Sequence, residues 1–558
     1  MKFKILREGR GVQHFCKLFD QIAKTYPDMI AIEMKTDQGW ERIKYGELLK
    51  IVRKFALGLK DRFNVKEGDH IAIRGKNSPE WIISALTVHW IGGVVVPIDA
   101  RLTEKEVIHI LNMSDSSLFI TDNGDFCNAV PILRFNDIEK NLIEPGMDCE
   151  NAEDLDRLSI LFFTSGTTGN SKGVMLSMRN VMSNVDDIYK ILIFNPGDRQ
   201  FLILPLHHVF PYTVSLLLSI SSGLTLTIAR SYKSNELKED MKETKPHIML
   251  VVPLLLEKIV VGIEKELRKQ PSLKRGMVKI LEGVSSPFTK INFRDPARRL
   301  FRMIREALGM DNMRYLVSGG AALPPWVSKR LETWGFPILQ GYGLSETSPV
   351  LTVNPPYRPK NASAGLPIPS VEINILNPVD GVGEIVAKGP NIMLGYYKNE
   401  KATEEVFTKD GWFRTGDMGY LDKDGFLFIT GRAKSVIVTR GGKNIYPEEI
   451  EEKLNESPFI EESLVLMETN LKTGLDEIVS YIYPNYENVD DYCATKGILS
   501  TCQDEIYNIL EEEIKKINEH LANYKKIRRI VLREEEFPKT STQKIKRYLF
   551  IQKGREIT

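Results

Sequence analysis

Short apolar runs alternate with segments of helical spacing along the first two thirds of the chain. The runs are rich in Val, Ile and Leu and cover residues 30–34, 70–74, 94–99, 117–121, 158–165 and 247–253. Between them, apolar residues recur with the period of an amphipathic helix, as over 44–63 and 79–90. Strands that alternate with helices are typical of parallel sheets covered by helices. The pattern therefore predicts an α/β fold.

The pattern changes after about Ser370. Short apolar segments separated by Gly or Asp-Gly are typical of antiparallel β structure, and they occupy residues 371–376, 383–389, 425–431 and 435–439. A smaller unit follows, with a helix starting at Pro447, strands over 463–467, 477–483 and 527–532, and an amphipathic helix over 503–520. We expect a large N-terminal domain of α/β subdomains plus a β-rich subdomain over 1–431, and a small, mobile α+β lid domain over 432–558.

One stretch is a candidate membrane span, because residues 201–229 contain no Asp, Glu, Lys or Arg. A spanning helix needs about 20 largely apolar residues. Here Pro205, Pro211 and Gly223 interrupt the run, together with two histidines and several hydroxyl side chains. We predict a strand, a turn, a buried helix that stops at the glycine, and a second strand.

Composition excludes several classes of protein. The chain has 558 residues, 42% of them hydrophobic, and a net charge of +1, which gives no support to nucleic-acid binding. Its five cysteines form no C-x-x-C pair, so neither a disulfide framework nor a zinc knuckle is indicated. The N-terminal residues have no secretory h-region. We expect reduced thiols and a cytoplasmic protein, with peripheral contact at the inner membrane face as an open alternative.

The strongest chemical signal is the loop FTSGTTGNSKG over residues 163–173, which follows an apolar strand. Glycine and small hydroxylated residues expose backbone N–H groups that can surround phosphate oxygens, and Lys172 adds a positive charge. It is not a Walker loop, because Ser171 precedes the lysine and Gly173 follows it.

This loop resembles the signature loop of the adenylate-forming superfamily, which comprises acyl-CoA synthetases, luciferases and the adenylation domains of peptide synthetases. The family usually has Pro where this chain has Ser171. Further segments that resemble the family's motifs follow in the family's order, so the resemblance extends from about Asp20 to Arg547. It is closest to the bacterial-type long-chain fatty acid–CoA ligases, and it implies the same two-domain α/β fold.

The resemblance implies where a nucleotide would bind. Glu346 and Thr164 would hold Mg²⁺, Thr347 would contact the α-phosphate, and Tyr342 would stack on adenine. Asp417 would accept hydrogen bonds from the ribose hydroxyls, with Arg432 as a second ribose contact. By the same resemblance, the nucleotide-binding loop and the walls of the adenine and acyl pockets would be formed by Thr164, Ser165, Gly166, Thr167, Thr168, Gly169 and Lys172, by Gly319, Gly320 and Ala321, and by Gln340, Gly341, Tyr342 and Gly343.

Other positions concern the acyl group and the lid. The resemblance implies that His208, in LPLHHVFP, lines or gates the acyl site. Lys434 falls at the family's hinge position, Gly441 and Gly442 would pass the pantetheine arm of coenzyme A, and Lys544 would be the catalytic lysine. The family often has Asp where this chain has Ser435, and usually has Gly where it has Gln543.

Two further expectations come from the residues themselves. Adjacent histidines on a strand would point to opposite faces, so His207 and His208 are a poor zinc pair. Glu448, Glu449 and Glu451 are interpreted as charges that offset the dipole at the N-terminus of a helix.

The resemblance implies an AMP-forming acid–thiol ligase that uses ATP and Mg²⁺. A medium- or long-chain fatty acid would be adenylated with release of pyrophosphate and then transferred to coenzyme A. An acyl carrier protein as acceptor, or an aryl acid as substrate, stays an alternative. A kinase using the same loop would leave Asp417 and Lys544 without a role, and a non-catalytic lipid-binding homologue is the distant alternative.

Two questions of partners stay open at this stage. Residues 264–305 resemble the extra helical segment of the long-chain branch, and basic residues there and over 525–529 could meet anionic headgroups. Solvated charge is the simpler interpretation of both clusters. A homodimer is neither indicated nor excluded.

Overall fold

The computed structural model describes residues 8–123, 130–144, 152–164, 171–290, 295–438, 444–470, 475–497, 502–539 and 545–551. The strands within these ranges are β1 (Ile30–Thr36), β2 (Gly39–Lys44), β3 (His70–Arg74), β4 (Val94–Ile98), β5 (Leu118–Thr121), β6 (Ile132–Arg134), β7 (Leu158–Thr164), β8 (Lys172–Ser177), β9 (Arg199–Leu202), β10 (Thr225–Ile228), β11 (Ile248–Val251), β12 (Tyr315–Ser318), β13 (Ile338–Gly343), β14 (Val350–Val353), β15 (Leu366–Pro367), β16 (Glu372–Val379), β17 (Val382–Lys388), β18 (Gly395–Tyr396), β19 (Phe413–Leu421), β20 (Leu427–Arg432), β21 (Ile437–Val438), β22 (Asn444–Ile445), β23 (Ile460–Thr469), β24 (Asp476–Pro484) and β25 (Ile527–Leu532).

The helices are α1 (Phe15–Thr25), α2 (Tyr45–Phe63), α3 (Pro79–Ile91), α4 (Glu104–Met113), α5 (Met178–Ile191), α6 (Val209–Pro211), α7 (Leu218–Ser222), α8 (Ser234–Thr244), α9 (Pro253–Arg268), α10 (Ser272–Lys290), α11 (Asp295–Leu300), α12 (Arg302–Ala307), α13 (Pro325–Thr333), α14 (Glu400–Glu405), α15 (Pro447–Leu454), α16 (Tyr486–Thr495), α17 (Gln503–Glu519) and α18 (Tyr548–Ile551). A π-helical segment, Tyr212–Leu217, joins α6 to α7.

Two large sheets carry the predicted alternation of strands and helices. The described strands form a nine-stranded sheet in the order β15-β14-β13-β12-β11-β9-β10-β1-β2, in which the strands from β13 to β1 pair in parallel. A seven-stranded sheet runs β18-β8-β7-β4-β3-β5-β6, parallel from β7 to β6. Parallel strands are buried on both faces, which explains their continuous Val, Ile and Leu runs. The α/β prediction is confirmed.

The later part of the chain is antiparallel, as the glycine spacing predicts. Strands β16, β17, β19 and β20 form a four-stranded sheet of antiparallel pairs. Gly425 turns the chain between β19 and β20 with φ +84°, a left-handed conformation that costs glycine no steric clash.

The C-terminal unit has its own three-stranded sheet, in which β24 pairs antiparallel with β23 and parallel with β25. Its buried side chains, from Ile445 to Ile527, form a hydrophobic cluster of their own. The domain boundary near residue 431 stays a prediction. A domain has a hydrophobic core of its own, and the cluster on the C-terminal side agrees with that requirement.

The uncharged stretch over 201–229 folds as predicted, from β9 through the helical segments to Gly223, which has φ +73°, and on into β10. Its π-helical part is buried and is anchored by Gln200 of β9. The Gln200 side-chain amide donates to the Val214 carbonyl (3.1 Å) and accepts from the Ser219 hydroxyl (2.6 Å). A π-helical turn interrupts the regular backbone hydrogen bonds of an α-helix. The buried Gln200 amide provides hydrogen-bond partners there, as buried polar groups require.

No helix in the part of the chain that the structure describes is both long and apolar enough to cross a bilayer.

The described cysteines are free thiols: Cys16 and Cys493 are buried and Cys502 is exposed. Cys127 and Cys149 lie outside the described residues.

A glycine substitution tests the packing of α2. A Cβ at Gly58 would lie 1.8 Å from the Asn141 backbone oxygen, whereas one at Gly262, on the exposed face of α9, meets nothing within 4 Å. We expect Gly58→Ala to lower the free energy of unfolding by about 1–3 kcal/mol, because backbone must move. Gly262→Ala should raise it by about 0.5–1 kcal/mol through helix propensity. Urea unfolding of both variants checks this, and shifts of the same sign would contradict the close approach.

Candidate active site

The predicted phosphate loop leaves the seven-stranded sheet at the carboxyl end of β7 and returns in β8. Thr164 pairs with Lys172 across the two strands, so these residues close the loop. Ser165, Gly166, Thr167, Thr168 and Gly169 lie outside the described residues. Ligands of open α/β sheets bind beyond the carboxyl ends of the strands, and the loop lies at such an end.

Tyr396 connects this loop to the nine-stranded sheet. It lies in β18, paired with β8, and its ring centroid is 4.6 Å from Lys172 Nζ. Its hydroxyl donates to Glu346 Oε1 (2.8 Å), in the 3₁₀ turn Ser345–Thr347 that follows β13. Burial, with Glu346 as a second cause, raises the pKa of Tyr396 above its ordinary value, so the hydroxyl stays a donor. A cation and a carboxylate from two sheets thus meet at one aromatic side chain.

Glu346 has an acceptor to spare for a metal ion. No described residue donates a hydrogen bond to its second carboxylate oxygen, and Thr164 has only a 3.5 Å contact from its hydroxyl to the Lys172 carbonyl. Both are hard oxygen donors of the kind that Mg²⁺ takes. The described residues contain no cluster of three or more His, Cys, Asp or Glu side chains that could hold a metal.

Thr347 is fully buried, and its hydroxyl is already bonded to backbone. It accepts from the Leu344 N–H (2.9 Å) and lies within hydrogen-bond distance of the Pro349 carbonyl (2.5 Å), while Asn391 binds the Thr347 carbonyl (2.8 Å). In this structure the side chain therefore holds the turn that carries Glu346. Its predicted contact with the α-phosphate stays a prediction and requires the hydroxyl to change partners.

The predicted ribose residues form one hydrogen-bonded group. Asp417 and Arg432 are directly opposite on β19 and β20, with Nε 2.8 Å from Oδ1. The Tyr342 hydroxyl donates to the other oxygen of the buried Asp417 (2.7 Å). Burial, and next the charge of Asp417, raise the pKa of Tyr342 well above its ordinary value. A carboxylate of this kind can accept hydrogen bonds from hydroxyl groups, as a ribose contact requires.

The glycine loop after β12, residues 319–321, contacts the segment that contains His207, His208 and Phe210. A Cβ at Gly319 would lie 3.0 Å from the Phe210 ring, so a larger residue there would require the ring to move by a few tenths of an ångström. Gly320, with φ +87°, and Ala321 are exposed. The loop therefore lies beside the predicted acyl segment, as a shared pocket wall requires.

Strand β13 supplies the remaining predicted wall. Gln340 pairs with Ser318 of β12 and Gly341 with Val353 of β14. A Cβ at Gly343 would meet the Pro349 carbonyl oxygen at 1.8 Å, which explains glycine there by packing alone.

His207 and His208 lie in a turn rather than on a strand, which corrects the premise about opposite faces. Their ring centroids are 4.3 Å apart. Asn77 holds the turn with two hydrogen bonds of 2.9 Å, to the Leu204 carbonyl and from the Leu206 N–H.

Asp99, at the carboxyl end of β4, orders the same region. Its carboxylate accepts from Arg101 (2.9 and 3.1 Å) and lies 3.4 Å from His207 Nε2. Burial opposes ionisation of Asp99, but the contacts with His207 and Arg101 outweigh it and hold the pKa below its ordinary range. Asp99 is not among the residues predicted from the sequence, although a polar residue just beyond a buried strand is a usable signal.

Two ion pairs hold the ends of the segment that contains Lys544, which itself lies outside the described residues. Before it, Lys539 pairs with Glu462 of β23. After it, Arg547 binds both oxygens of Glu451 on α15 (2.6 and 2.7 Å). Lys539 and Ile545 form an antiparallel bridge.

The contact with Arg547 corrects the interpretation of Glu451. Glu448 and Glu449 do lie in the first turn of α15, but Glu451 is one end of the anchor for the Lys544 segment. Lys434 is exposed in a 3₁₀ turn, Ala433–Ser435, directly after β20. Gly441 and Gly442 lie outside the described residues.

The model of the AMP-binding enzyme family matches residues 19–397 of this chain. A protein of Mycobacterium bovis named long-chain-fatty-acid–CoA ligase FadD15 is 29% identical and covers 94% of this chain and 93% of its own length. Human long-chain-fatty-acid–CoA ligase ACSBG1 is 27% identical and covers 91% of this chain and 78% of its own length.

Solved structures show the same fold. O-succinylbenzoate CoA synthetase from Bacillus subtilis, in complex with its acyl-adenylate intermediate, matches with TM-score 0.75 and 24% identity, over 96% of this chain and 97% of that chain. The same enzyme in complex with ATP and magnesium ion matches with TM-score 0.74 and 24% identity, over 95% and 98%. At this identity the likeness establishes the fold alone.

His208 gives a test of the buried state of the acyl segment. Burial, with a smaller effect of His207, lowers the pKa of His208 from 6.5 to about 3. The unfolded chain then binds the proton more readily, so the free energy of unfolding falls as the pH decreases below 6.5. We expect His208→Gln to remove about 1.4 kcal/mol of this loss per pH unit. Urea unfolding of wild type and variant between pH 7 and pH 5 measures it, and parallel curves would contradict a buried, neutral imidazole.

Proposed function

The chain belongs to the AMP-binding enzyme family, whose model matches well over half of it, and from this membership we propose that it is a fatty acid–CoA ligase. A medium- or long-chain fatty acid is activated with ATP and transferred to coenzyme A, giving acyl-CoA, AMP and pyrophosphate. The named ligases that align with nearly the whole chain support the acid and the acceptor.

The observation that carries the proposal is the group formed by Lys172, Tyr396 and Glu346. Lys172, which forms no ion pair with a described carboxylate, and Glu346, whose second oxygen accepts from no described residue, lie together at the end of the predicted phosphate loop. A nucleotide with a bound divalent ion needs a positive side chain for its phosphates and a negative side chain for the metal, close to each other.

In the first half-reaction the fatty acid carboxylate attacks the α-phosphorus of ATP. An oxygen–phosphorus bond forms, the bond from the α-phosphorus to the bridging oxygen breaks, and pyrophosphate leaves with the electron pair. The protein supplies no nucleophile, so its task is to position the reactants and offset charge. Lys172 with the 164–169 loop binds the β- and γ-phosphates, and Lys544 contacts the carboxylate and the α-phosphate.

The nucleoside is held by residues of two elements. Asp417 and Arg432 bind the ribose, and Tyr342 lies against adenine with its hydroxyl fixed by Asp417. A nucleotide would share the Asp417 oxygens with these partners, which keeps the carboxylate aligned before binding.

Glu346 and Thr164 would hold Mg²⁺. In nucleotide sites this ion takes one or two protein oxygens and fills its other positions with phosphate and water, which these two side chains fit. When bound there, the ion offsets phosphate charge.

In the second half-reaction the coenzyme A thiolate attacks the acyl carbonyl. A carbon–sulfur bond forms, the bond from the acyl carbon to the phosphate oxygen breaks, and AMP leaves. We propose that the domain over 432–558 turns about Lys434 on the domain over 1–431, so that Lys544 leaves and Gly441 and Gly442 reach the acyl-adenylate. A short exposed turn after β20 is suited to such a rotation.

The first experiment measures AMP and pyrophosphate formed from ATP and Mg²⁺ with short-, medium- and long-chain fatty acids and with benzoate, with and without coenzyme A. We expect the highest kcat/KM at long chains and turnover that depends on coenzyme A. Pyrophosphate exchange with no coenzyme A-dependent turnover would move the acceptor to a carrier protein. A preference for benzoate would favour an aryl acid ligase, and absence of AMP with every acid would contradict the proposal.

The Lys544→Ala variant distinguishes the two half-reactions. We expect adenylate formation to fall about 10²–10³-fold, because one preorganised charge is lost at the reacting phosphate. Thioester formation from supplied acyl-adenylate should be nearly unchanged. Lys515→Ala, an exposed lysine on α17 of the same domain, is the control. Equal loss in both half-reactions would refute the role of Lys544.

A further inference from the structure

Asp99 lies where the predicted phosphate loop and the predicted acyl segment come together. It directly follows β4 and is 8% exposed. Strands β4 and β7 pair in parallel, with Val95 opposite Ile160, and Asp99 and Thr164 each lie four residues after that pair. Equal steps along parallel neighbours reach about the same height in the sheet. Asp99 is therefore level with Thr164, at which the predicted phosphate loop begins.

The carboxylate of Asp99 faces a buried histidine on its other side. It accepts from the backbone N–H of Arg101 (2.9 Å) and from the guanidinium (2.9 and 3.1 Å), and its Oδ2 lies 3.4 Å from His207 Nε2. The His207 side chain is 7% exposed, and the described residues form no hydrogen bond of regular geometry with this nitrogen. Buried polar groups require partners. Within the described part of the chain, Asp99 is the charged partner that faces this ring.

The ring of His207 in turn contacts His208. The two ring centroids are 4.3 Å apart, with an angle of 55° between the ring planes. The backbone of this turn is held separately by Asn77, through the Leu204 carbonyl and the Leu206 N–H. The contact with Asp99 therefore concerns the orientation of the two imidazoles rather than the path of the chain.

We propose that Asp99 is a positioning residue for the fatty acid: it orients His207 and, through the ring contact, His208 at the end of the acyl site that receives the carboxylate. This role rests on the proposed function, because the acid is the ligand that His208 is expected to contact. The position level with Thr164 favours the carboxylate end over the tail. Precise placement matters there, because a misplacement of about 1 Å can lower a rate about 10²-fold.

The chain contains a second buried aspartate with the same kinds of partner. Asp198 pairs with Arg314 (2.6 Å) and lies 3.9 Å from His247 Nε2. It directly precedes β9, at the amino ends of the parallel strands β9, β10 and β11, whereas the predicted site lies at carboxyl ends. Asp198→Asn is therefore a matched control, which removes a buried carboxylate from a similar group far from the predicted site.

Steady-state kinetics with decanoate and with palmitate tests the role. We expect Asp99→Asn to raise the KM for both acids about tenfold, by the same factor, and to change the KM for ATP less than about twofold, because a contact at the acid is lost. Asp198→Asn should change none of these. Equal effects of the two variants, or a KM for ATP that rises as much as that for the acid, would overturn the proposal. A loss that grows with chain length would refute the placement at the carboxylate.

A double-mutant cycle shows whether Asp99 acts through the ring. His207→Gln should raise the KM for the acid as much as Asp99→Asn does, and the double variant should show no further increase. Additive increases would show that Asp99 acts independently of His207 and would overturn the proposal. Unchanged thermal melting of each variant confirms that it folds.

Histidine ring resonances of protein labelled with ¹³C-histidine give a readout that needs no turnover. His207→Gln and His208→Gln assign the two signals. We expect Asp99→Asn to shift both, whereas Asp198→Asn should shift that of His247 and leave both unchanged. Unmoved signals in Asp99→Asn would refute the contact. Absence of AMP with every acid in the wild type would contradict the proposed function instead, and the resonances would still decide whether Asp99 orients the two rings.

Discussion

The candidate site depends on keeping two opposite charges close without letting them neutralise each other. Lys172 and Glu346 come from different sheets, and a direct ion pair would use up the donors and the oxygens that phosphate and metal need. Tyr396 stands between them: its ring attracts the ammonium group, and its hydroxyl satisfies one carboxylate oxygen. No described carboxylate pairs with Lys172, and no described residue donates to the second oxygen of Glu346. Both groups are therefore suited to binding a ligand.

A second group of hydrogen-bonded side chains surrounds Asp417. Tyr342 binds one oxygen of the carboxylate and Arg432 binds the other. Burial makes this arrangement rigid, because a buried carboxylate is stable only when it is paired and hydrogen-bonded. The residues predicted to bind ribose are therefore ordered before any nucleotide arrives.

On the C-terminal side, ion pairs add to the hydrophobic core in ordering the chain. Lys539 and Arg547 hold the two ends of the Lys544 segment to β23 and α15 of the same domain. Because both anchors lie within the C-terminal unit, we expect the rotation proposed above to carry both ends of this segment with that unit.

The sequence predicted the parallel strands and the interrupted segment over 201–229, because buried strands and glycine stops are local patterns. It also predicted the pairing partners Asp417 and Arg432 as site residues through a resemblance to known motifs. It did not predict Tyr396, whose role depends on a two-residue strand that pairs with β8 more than 200 positions earlier. The second roles of Thr347 and Glu451 were missed for the same reason, since their partners are defined only by the folded chain.

The π-helical segment Tyr212–Leu217 has a consequence for how this region can change. A wide turn holds one more residue than an α-helix of the same length. Because the extra residue is taken up within the turn, its loss would restore regular helix and leave the segments before and after it in nearly the same relative orientation. His208 and Phe210 precede the segment, and Ser219, bonded to Gln200, follows it. The helix can therefore lose one residue at this point while the predicted acyl segment on one side and the Gln200 contact on the other keep their positions.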